Sequence, residues 1–230
     1  MKNILITGAT SGIGRSILEE LIQREQHTAF CGRSEEKIRQ ITDNLDPAKH
    51  FSAVLDITEI SKIPGFFIQA ENAIGPIDVL INCAGANTAR GFIDSVNEDD
   101  LLYMYRLNCL APIIFMREAV RSMKIRQQGL IINILSSVCL FSNEGLSGYT
   151  ASKAAFAAAA GVVRKEVRKE GIRVCSVYPG GVNTEFRPNT RPEYLSPMTI
   201  AKAVLNIIQA DPSVCYDEVV IRPLSETNFK

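Results

Sequence analysis

Short apolar runs recur along this chain, and nearly every one is separated from the next by a longer helix-like stretch. No other feature limits the possible folds so tightly. Ile4–Thr7, Thr28–Cys31, Ser52–Leu55, Asp78–Asn82, Leu130–Leu135, Arg173–Tyr178 and Glu218–Ile221 read as strands. Helices are predicted from the first glycine turn to Glu25, over Glu35–Leu45, in part of Ile60–Ala73, and over Glu98–Met123, Tyr149–Glu170 and Thr199–Gln209. Strands that are apolar throughout are buried on both faces, as in a parallel sheet covered by helices. With right-handed crossovers this gives an α/β, doubly wound sheet of about seven strands. The 230 residues, 46% of them hydrophobic, suffice for one core. Residues 1–230 are therefore expected to form a single domain, with Glu185 to Pro197, the least periodic segment, as a loop over any site.

Composition removes several classes of function. Lys+Arg and Asp+Glu are equal at 25 each, and no basic run stands out. Nucleic acid and membrane surfaces are not expected partners. No apolar run approaches the ~20 residues that span a bilayer. The chain enters its first strand at once, which leaves no room for a signal peptide. Cys31, Cys83, Cys109, Cys139, Cys175 and Cys215 are scattered without a Cys-x-x-Cys pair. They read as reduced, mostly buried side chains of a cytoplasmic protein. His27 and His50 have no further ligands at metal spacing, so no metal site is expected.

Gly8, Gly12 and Gly14 stand between the first strand and the first helix. Glycines there permit a tight turn and let a pyrophosphate approach the free N–H groups and positive end of the helix. The spacing is Gly-x-x-x-Gly-x-Gly rather than the general Gly-x-Gly-x-x-Gly. An acidic residue after the second strand would hold a ribose 2′-hydroxyl. Here that place reads Gly32-Arg33-Ser34. Gly32 brings no charge to repel a 2′-phosphate, and Arg33 offers a guanidinium fork for one, so NADP is expected over NAD. The rival reading makes Arg33 a solvated loop residue. Ser34 is the expected N-cap of the following helix, without a full capping box because Lys37 stands at its third position.

Tyr149 and Lys153 are four residues apart in a predicted helix and share one face. A free phenol has a pKa of about 10. A neighbouring ammonium favours the phenolate, which makes the pair a candidate general acid/base. Two residues sharing a helix face by chance is the alternative.

Taken together, Thr7-Gly8-x-x-x-Gly12-Ile13-Gly14, Asn82-Cys83-Ala84-Gly85 and Tyr149-x-x-x-Lys153 resemble the short-chain dehydrogenase/reductase family, over nearly the whole chain and in the expected order. Ser136, thirteen residues before Tyr149, Asn108, and Pro179–Thr184 extend the match. The resemblance implies a Rossmann fold and a nicotinamide cofactor. It implies that Tyr149 is the general acid in carbonyl reduction, that Lys153 tunes it and bonds the nicotinamide ribose, that Ser136 bonds the substrate oxygen, and that Asn108 positions a water in a proton relay. For the cofactor it implies contacts from Gly8, Thr10, Ser11, Gly12, Ile13 and Gly14, from Arg33 and Ser34, from Asp56 and Ile57 at the adenine, from Asn82, which also steadies the centre of the sheet, Ala84 and Gly85, from Tyr149 and Lys153, and from Pro179, Gly180, Val182 and Thr184. Cys83 departs from the family's second asparagine. Ser137 adjoins Ser136; strand alternation would aim the two apart. Pro112 has no N–H, so an α-helix through it withholds the usual partner from the Asn108 carbonyl. A kink near Asn108, its carbonyl turned toward Lys153, is the expected result.

The expected activity is NADPH-dependent carbonyl reductase or alcohol dehydrogenase on a small ketone or 3-oxo compound. Rival readings are a 3-oxoacyl thioester reductase, an NAD-linked alcohol dehydrogenase, and a catalytically silent NADP-binding sensor or scaffold. The intact Ser136, Tyr149, Lys153 and Asn108 set argues against silence. The small-residue run Ala154–Gly161 suits a two-fold contact between helices, and the short segment after the last strand leaves homodimer and homotetramer both open. Arg164–Glu170, of alternating sign, reads as a solvated face. Leu140, Phe141 and Phe186 either line an apolar pocket or belong to the core. Arg90, Arg187 and Arg191 either meet an anionic substrate or acyl carrier or are simply exposed.

Overall fold

The computed structural model describes residues 1–186 and 189–227, so Arg187 lies outside the described residues. One parallel sheet holds β1 (Asn3–Thr7), β2 (His27–Gly32), β3 (His50–Val54), β4 (Val79–Asn82), β5 (Gly129–Ile134), β6 (Ile172–Pro179) and β7 (Glu218–Ile221), in the order β3-β2-β1-β4-β5-β6-β7. Every predicted strand is present, its bounds moved by at most two residues. The helices are α1 (Gly12–Gln23), α2 (Glu35–Thr42), α3 (Ile63–Ile74), α4 (Glu98–Tyr105), α5 (Ala111–Arg126), α6 (Ser147–Val167) and α7 (Pro197–Gln209).

β4 and β5 are buried at every residue, as strands covered on both faces must be. Strand alternation divides their side chains between two cores. On one face Leu80 and Ile131 meet Phe66 and Phe67 of α3, Phe115 of α5 and Phe156 of α6. On the other Ile81 and Ile132 meet Ile17 and Leu18 of α1 and Val204 and Leu205 of α7. The strand order reverses between β1 and β4, which opens a crevice at their C-terminal ends, where open α/β sheets bind ligands.

The single helix expected over Glu98–Met123 is two helices joined by a π turn, Arg106–Leu110, in which the N–H of Ala111 reaches back five residues to the carbonyl of Arg106. Pro112 explains the correction. It cannot donate to Asn108, so the ordinary ladder cannot pass through, and one extra residue shifts the bonding register. The charged end of α6 also has an exception to its solvated face. Arg164 folds inward, donating to the Val174 carbonyl and the Ser176 hydroxyl (both 3.2 Å) and pairing with Glu218 (3.5 Å), which ties α6 to the β6–β7 edge.

Candidate active site

Three glycines shape the turn after β1, each for a steric reason. Gly8 has φ +68°, and a side chain there would come within 2.7 Å of the Ala84 backbone. One on Gly14 would run into the Gly8 carbonyl. Gly12 has φ +51° and faces Thr184. Thr7 Oγ1 accepts from the N–H groups of Cys83 (3.1 Å) and Ala84 (3.2 Å), tying the loops after β1 and β4 together. α1 starts directly behind this turn, with no acidic residue in its first turn and no side-chain bond from its N-cap Ser11. Its N-terminal N–H groups and dipole suit an anion.

Beside the turn, Gly32 packs on Thr10. A Cβ at position 32 would lie 2.5 Å from Thr10 Cγ2, so sterics disfavour a carboxylate there as well. Arg33 donates to the Tyr103 hydroxyl of α4 at 2.7 Å, which fixes its guanidinium at the rim of the crevice. Asp56 and Ile57 line the same end; Asp56 also accepts from the N–H (2.9 Å) and hydroxyl (2.8 Å) of Thr58. Ser34 does not line the crevice, contrary to expectation for a cofactor contact. Its hydroxyl caps α2 by accepting from the Lys37 N–H.

α6 presents Tyr149 and Lys153 to the crevice one turn apart, both buried. Lys153 Nζ donates to the Ile134 carbonyl at 3.1 Å. Burial lowers its pKa. Burial also pushes the Cys83 thiol up to about 12, so it is a neutral neighbour near neutral pH. Gly85 makes room for the lysine, since a Cβ there would lie 3.1 Å from Nζ. The Tyr149 ring packs against Phe186 with centroids 5.6 Å apart, and Arg90 lies over Phe186.

Ser136 lines the crevice and its Oγ accepts from the Val138 N–H at 3.3 Å. Ser137 lines it too. The expected strand alternation does not apply to this pair, because β5 ends at Ile134 and both serines sit on the turn beyond it.

Asn108 stands behind this surface, fully buried. Its Oδ1 accepts from the Ala86 N–H (3.0 Å), and its Nδ2 donates to the Ala86 carbonyl (2.8 Å) and Ser152 Oγ (3.0 Å). Ser152 in turn donates to the Tyr149 carbonyl at 2.8 Å. Ser152 was not foreseen, although a serine inside a helix commonly bonds back to its preceding turn. Asn82 lies beneath the crevice, not on its lining, and steadies the centre of the sheet as expected. Its Nδ2 donates to Asn133 Oδ1 of the neighbouring strand at 3.0 Å and to the Pro112 carbonyl at 3.4 Å.

Pro179, Gly180, Val182 and Thr184 line the opposite wall with Phe186, Arg191 and Tyr194. Arg90 is also on the lining, whereas Leu140 is exposed and outside it. Val182 bridges to Leu195 and holds the Glu185–Pro197 loop against β6. Sequence reasoning missed Asn87 and Glu226. Both carboxamide atoms of Asn87 are buried without a partner, on a residue of the crevice. Buried polar atoms of this kind call for a water or ligand group. Glu226 lies 45 residues along the chain from Gly181, whose N–H it accepts.

The crevice encloses about 940 Å³, within the ~300–1,000 Å³ of small-molecule and cofactor sites. A glycine cradle at a helix N-terminus, a buried lysine and the Asn87 carboxamide fit a phosphate-bearing, polar cofactor. Among the described residues no cluster of three His, Cys, Asp or Glu could hold a metal, and no helix is long and apolar enough to cross a membrane.

Comparison with known proteins agrees with this geometry. Residues 2–195 match the short chain dehydrogenase family. A bovine 3-oxoacyl-[acyl-carrier-protein] reductase is 30% identical over 190 residues, covering 83% of this chain and 79% of that one. An alcohol dehydrogenase from the archaeon Thermococcus sibiricus, complexed with 5-hydroxy-NADP, superposes with TM-score 0.89 at 25% identity, covering 98% of each chain. Serine dehydrogenase from Escherichia coli shares the fold, with TM-score 0.89 at 24% identity over 98% of this chain and 99% of that one. With the Tyr149–Lys153 pair and the glycine turn facing one crevice, the chain belongs to the short-chain dehydrogenase/reductase family of oxidoreductases.

Proposed function

We propose that this protein is an NADPH-dependent carbonyl reductase or alcohol dehydrogenase acting on a small ketone or 3-oxo compound. The observation that carries the reading is the convergence of Ser136, Tyr149 and Lys153 on one crevice with the Gly8–Gly14 turn. When bound there, the nicotinamide supplies or accepts the hydride. In the reductive direction Ser136 holds the carbonyl oxygen and the Tyr149 hydroxyl protonates the oxygen as negative charge develops on it. Lys153 sits in a dry environment that favours proton release, which suits refilling of Tyr149. Asn108 fixes the Gly85–Ala86 segment that borders the lysine. The preference for NADPH is supported by the Gly32–Thr10 contact and by the guanidinium fixed at Arg33. In this reading residues 1–230 form one catalytic unit of a cytoplasmic homodimer or homotetramer. Exposed Ala158 and Val162, four residues apart on α6, support a helix-to-helix contact.

A 3-oxoacyl thioester is the second substrate reading. Arg90 and Arg191 on the crevice lining suit a phosphate-bearing acyl carrier arm, and the bovine relative is named for that reaction. The test is NADPH oxidation with a panel of diketones, 3-oxo esters and 3-oxoacyl thioesters, followed by Tyr149→Phe. The expected outcome is turnover with at least one class, reduced by about 10²-fold or more in the variant with unchanged NADPH affinity. Tight NADPH binding without turnover on any of them would instead favour a silent sensor. Near-normal kcat in the variant would remove Tyr149 from the acid role.

A further inference from the structure

We propose that Glu226 is a positioning residue for the nicotinamide end of the site, acting through the Pro179–Thr184 turn. This rests on the nicotinamide reading above. Three backbone groups of that turn are held by other backbone. Gly180 N–H donates to the Ile221 carbonyl (2.8 Å), Asn183 N–H donates to the Leu195 carbonyl (2.9 Å), and the Gly181 carbonyl accepts from Leu195 N–H (3.0 Å). The Gly181 N–H is held by a side chain, donating to Glu226 Oε1 at 2.6 Å. A short bond to an ionised acceptor is stronger than the neutral bonds around it.

The carboxylate is itself fixed. Arg222 Nε donates to Glu226 Oε2 at 3.0 Å, and only 13% and 15% of the two side chains are exposed. The Arg222 guanidinium lies 4.6 Å from the centroid of the Phe141 ring, in the segment that leads from Ser136 to α6. Ser225 Oγ donates to the Glu193 carbonyl of the substrate loop at 3.1 Å. Residues 222–226 thus join three segments that border the reacting centre. The glycines of the turn fit this contact. A Cβ on Gly180 would collide with Glu226 Oε2, and one on Gly181 would lie 2.6 Å from the Tyr194 ring. Without Glu226, a donor in the wall beside the nicotinamide loses its partner and the turn is released at its centre. Among the described residues, the bonds of Arg33 and Asp56 at the adenosine end run to Tyr103 and Thr58, not to this clasp.

That separation supplies the test. NADPH and 2′,5′-ADP, its adenosine half without the nicotinamide, the ribose that carries it and that ribose's phosphate, are titrated calorimetrically into the wild type, Glu226→Ala and Glu226→Gln. The expected result for alanine is an affinity for NADPH weaker by about tenfold, with 2′,5′-ADP unchanged. Glutamine keeps an acceptor for the Gly181 N–H but turns an N–H₂ toward Arg222, so it should restore only part of the loss. Unchanged NADPH affinity in the alanine variant overturns the proposal. So does an equal loss for both ligands, which marks general loosening. Should Glu226→Ala fail to fold, Arg222→Met is read by the same ratio and must move in the same direction; no movement overturns the proposal. A folded wild type that binds 2′,5′-ADP and NADPH equally well overturns it too, while one that binds neither overturns the cofactor reading along with it.

Discussion

Replacing Asn108 by alanine should unfold the site from behind. The side chain is fully buried and its carboxamide occupies both the N–H and the carbonyl of Ala86, with a third bond to Ser152. Alanine removes all three and leaves two backbone groups of Ala86 without partners. An unsatisfied buried group costs about 1–3 kcal/mol. Ala86 is only partly buried, so the lower half of that range applies to each group. Two such groups sum to about 2–4 kcal/mol. For a chain of this length each kcal/mol moves Tm by about 2–4 °C, which gives a fall of roughly 5–15 °C. Asn108→Asp should be no milder. It keeps an acceptor for the N–H but sets a second oxygen against the Ala86 carbonyl and adds a buried charge. The assay is thermal unfolding followed by circular dichroism, without added nucleotide. A Tm within about 2 °C of wild type for Asn108→Ala would refute the assignment of Ala86 as its principal partner.

Two further predictions concern charge. On the proposed contact between Arg33 and a 2′-phosphate, Arg33→Ala should reduce kcat/KM for NADPH far more than for NADH; equal losses would refute that contact. Burial lowers the pKa of Lys153, so between its folded value and the unfolded 10.5 the unfolded chain binds more protons, and stability rises with pH across that window. Lys153→Met lacks this dependence. Its stability relative to wild type should therefore be greatest near neutral pH and shrink as pH rises toward 10.5, measured by urea unfolding at several pH values; a constant difference would refute the burial argument.

The strands were legible because each is a local run of mainly apolar residues, and the central ones are buried on both faces. The glycine turn, Tyr149 and Lys153 were legible because their spacing is local too. Glu226 was not, since its partner Gly181 lies 45 residues away and a lone glutamate after a strand resembles any surface residue. The Arg33–Tyr103 bond spans 70 residues and was hidden for the same reason. The Ser34 cap and the seat of Asn82 at the centre of the sheet were legible as well, one from its place before a helix and the other from its motif.

Pro112 shows how far one residue can carry the argument from chain to site. Its missing N–H forbids the α register at Asn108, and that much was predictable. The structure resolves the conflict with a π turn rather than with a simple kink. A π turn inserts one residue into the helix, so side chains on either side of it are offset by about 100° from where an unbroken helix would place them. Leu107 consequently lines the crevice while Asn108 reaches Ala86 and Ser152. The Pro112 carbonyl meanwhile accepts from Asn82 Nδ2, which joins α5 to the centre of the sheet. One proline thus accounts for the break between α4 and α5, and the break places the side chain that supports the loop beside Lys153. Its influence on the crevice runs through Ala86, whose N–H and carbonyl the Asn108 carboxamide holds, and so through the adjoining Gly85.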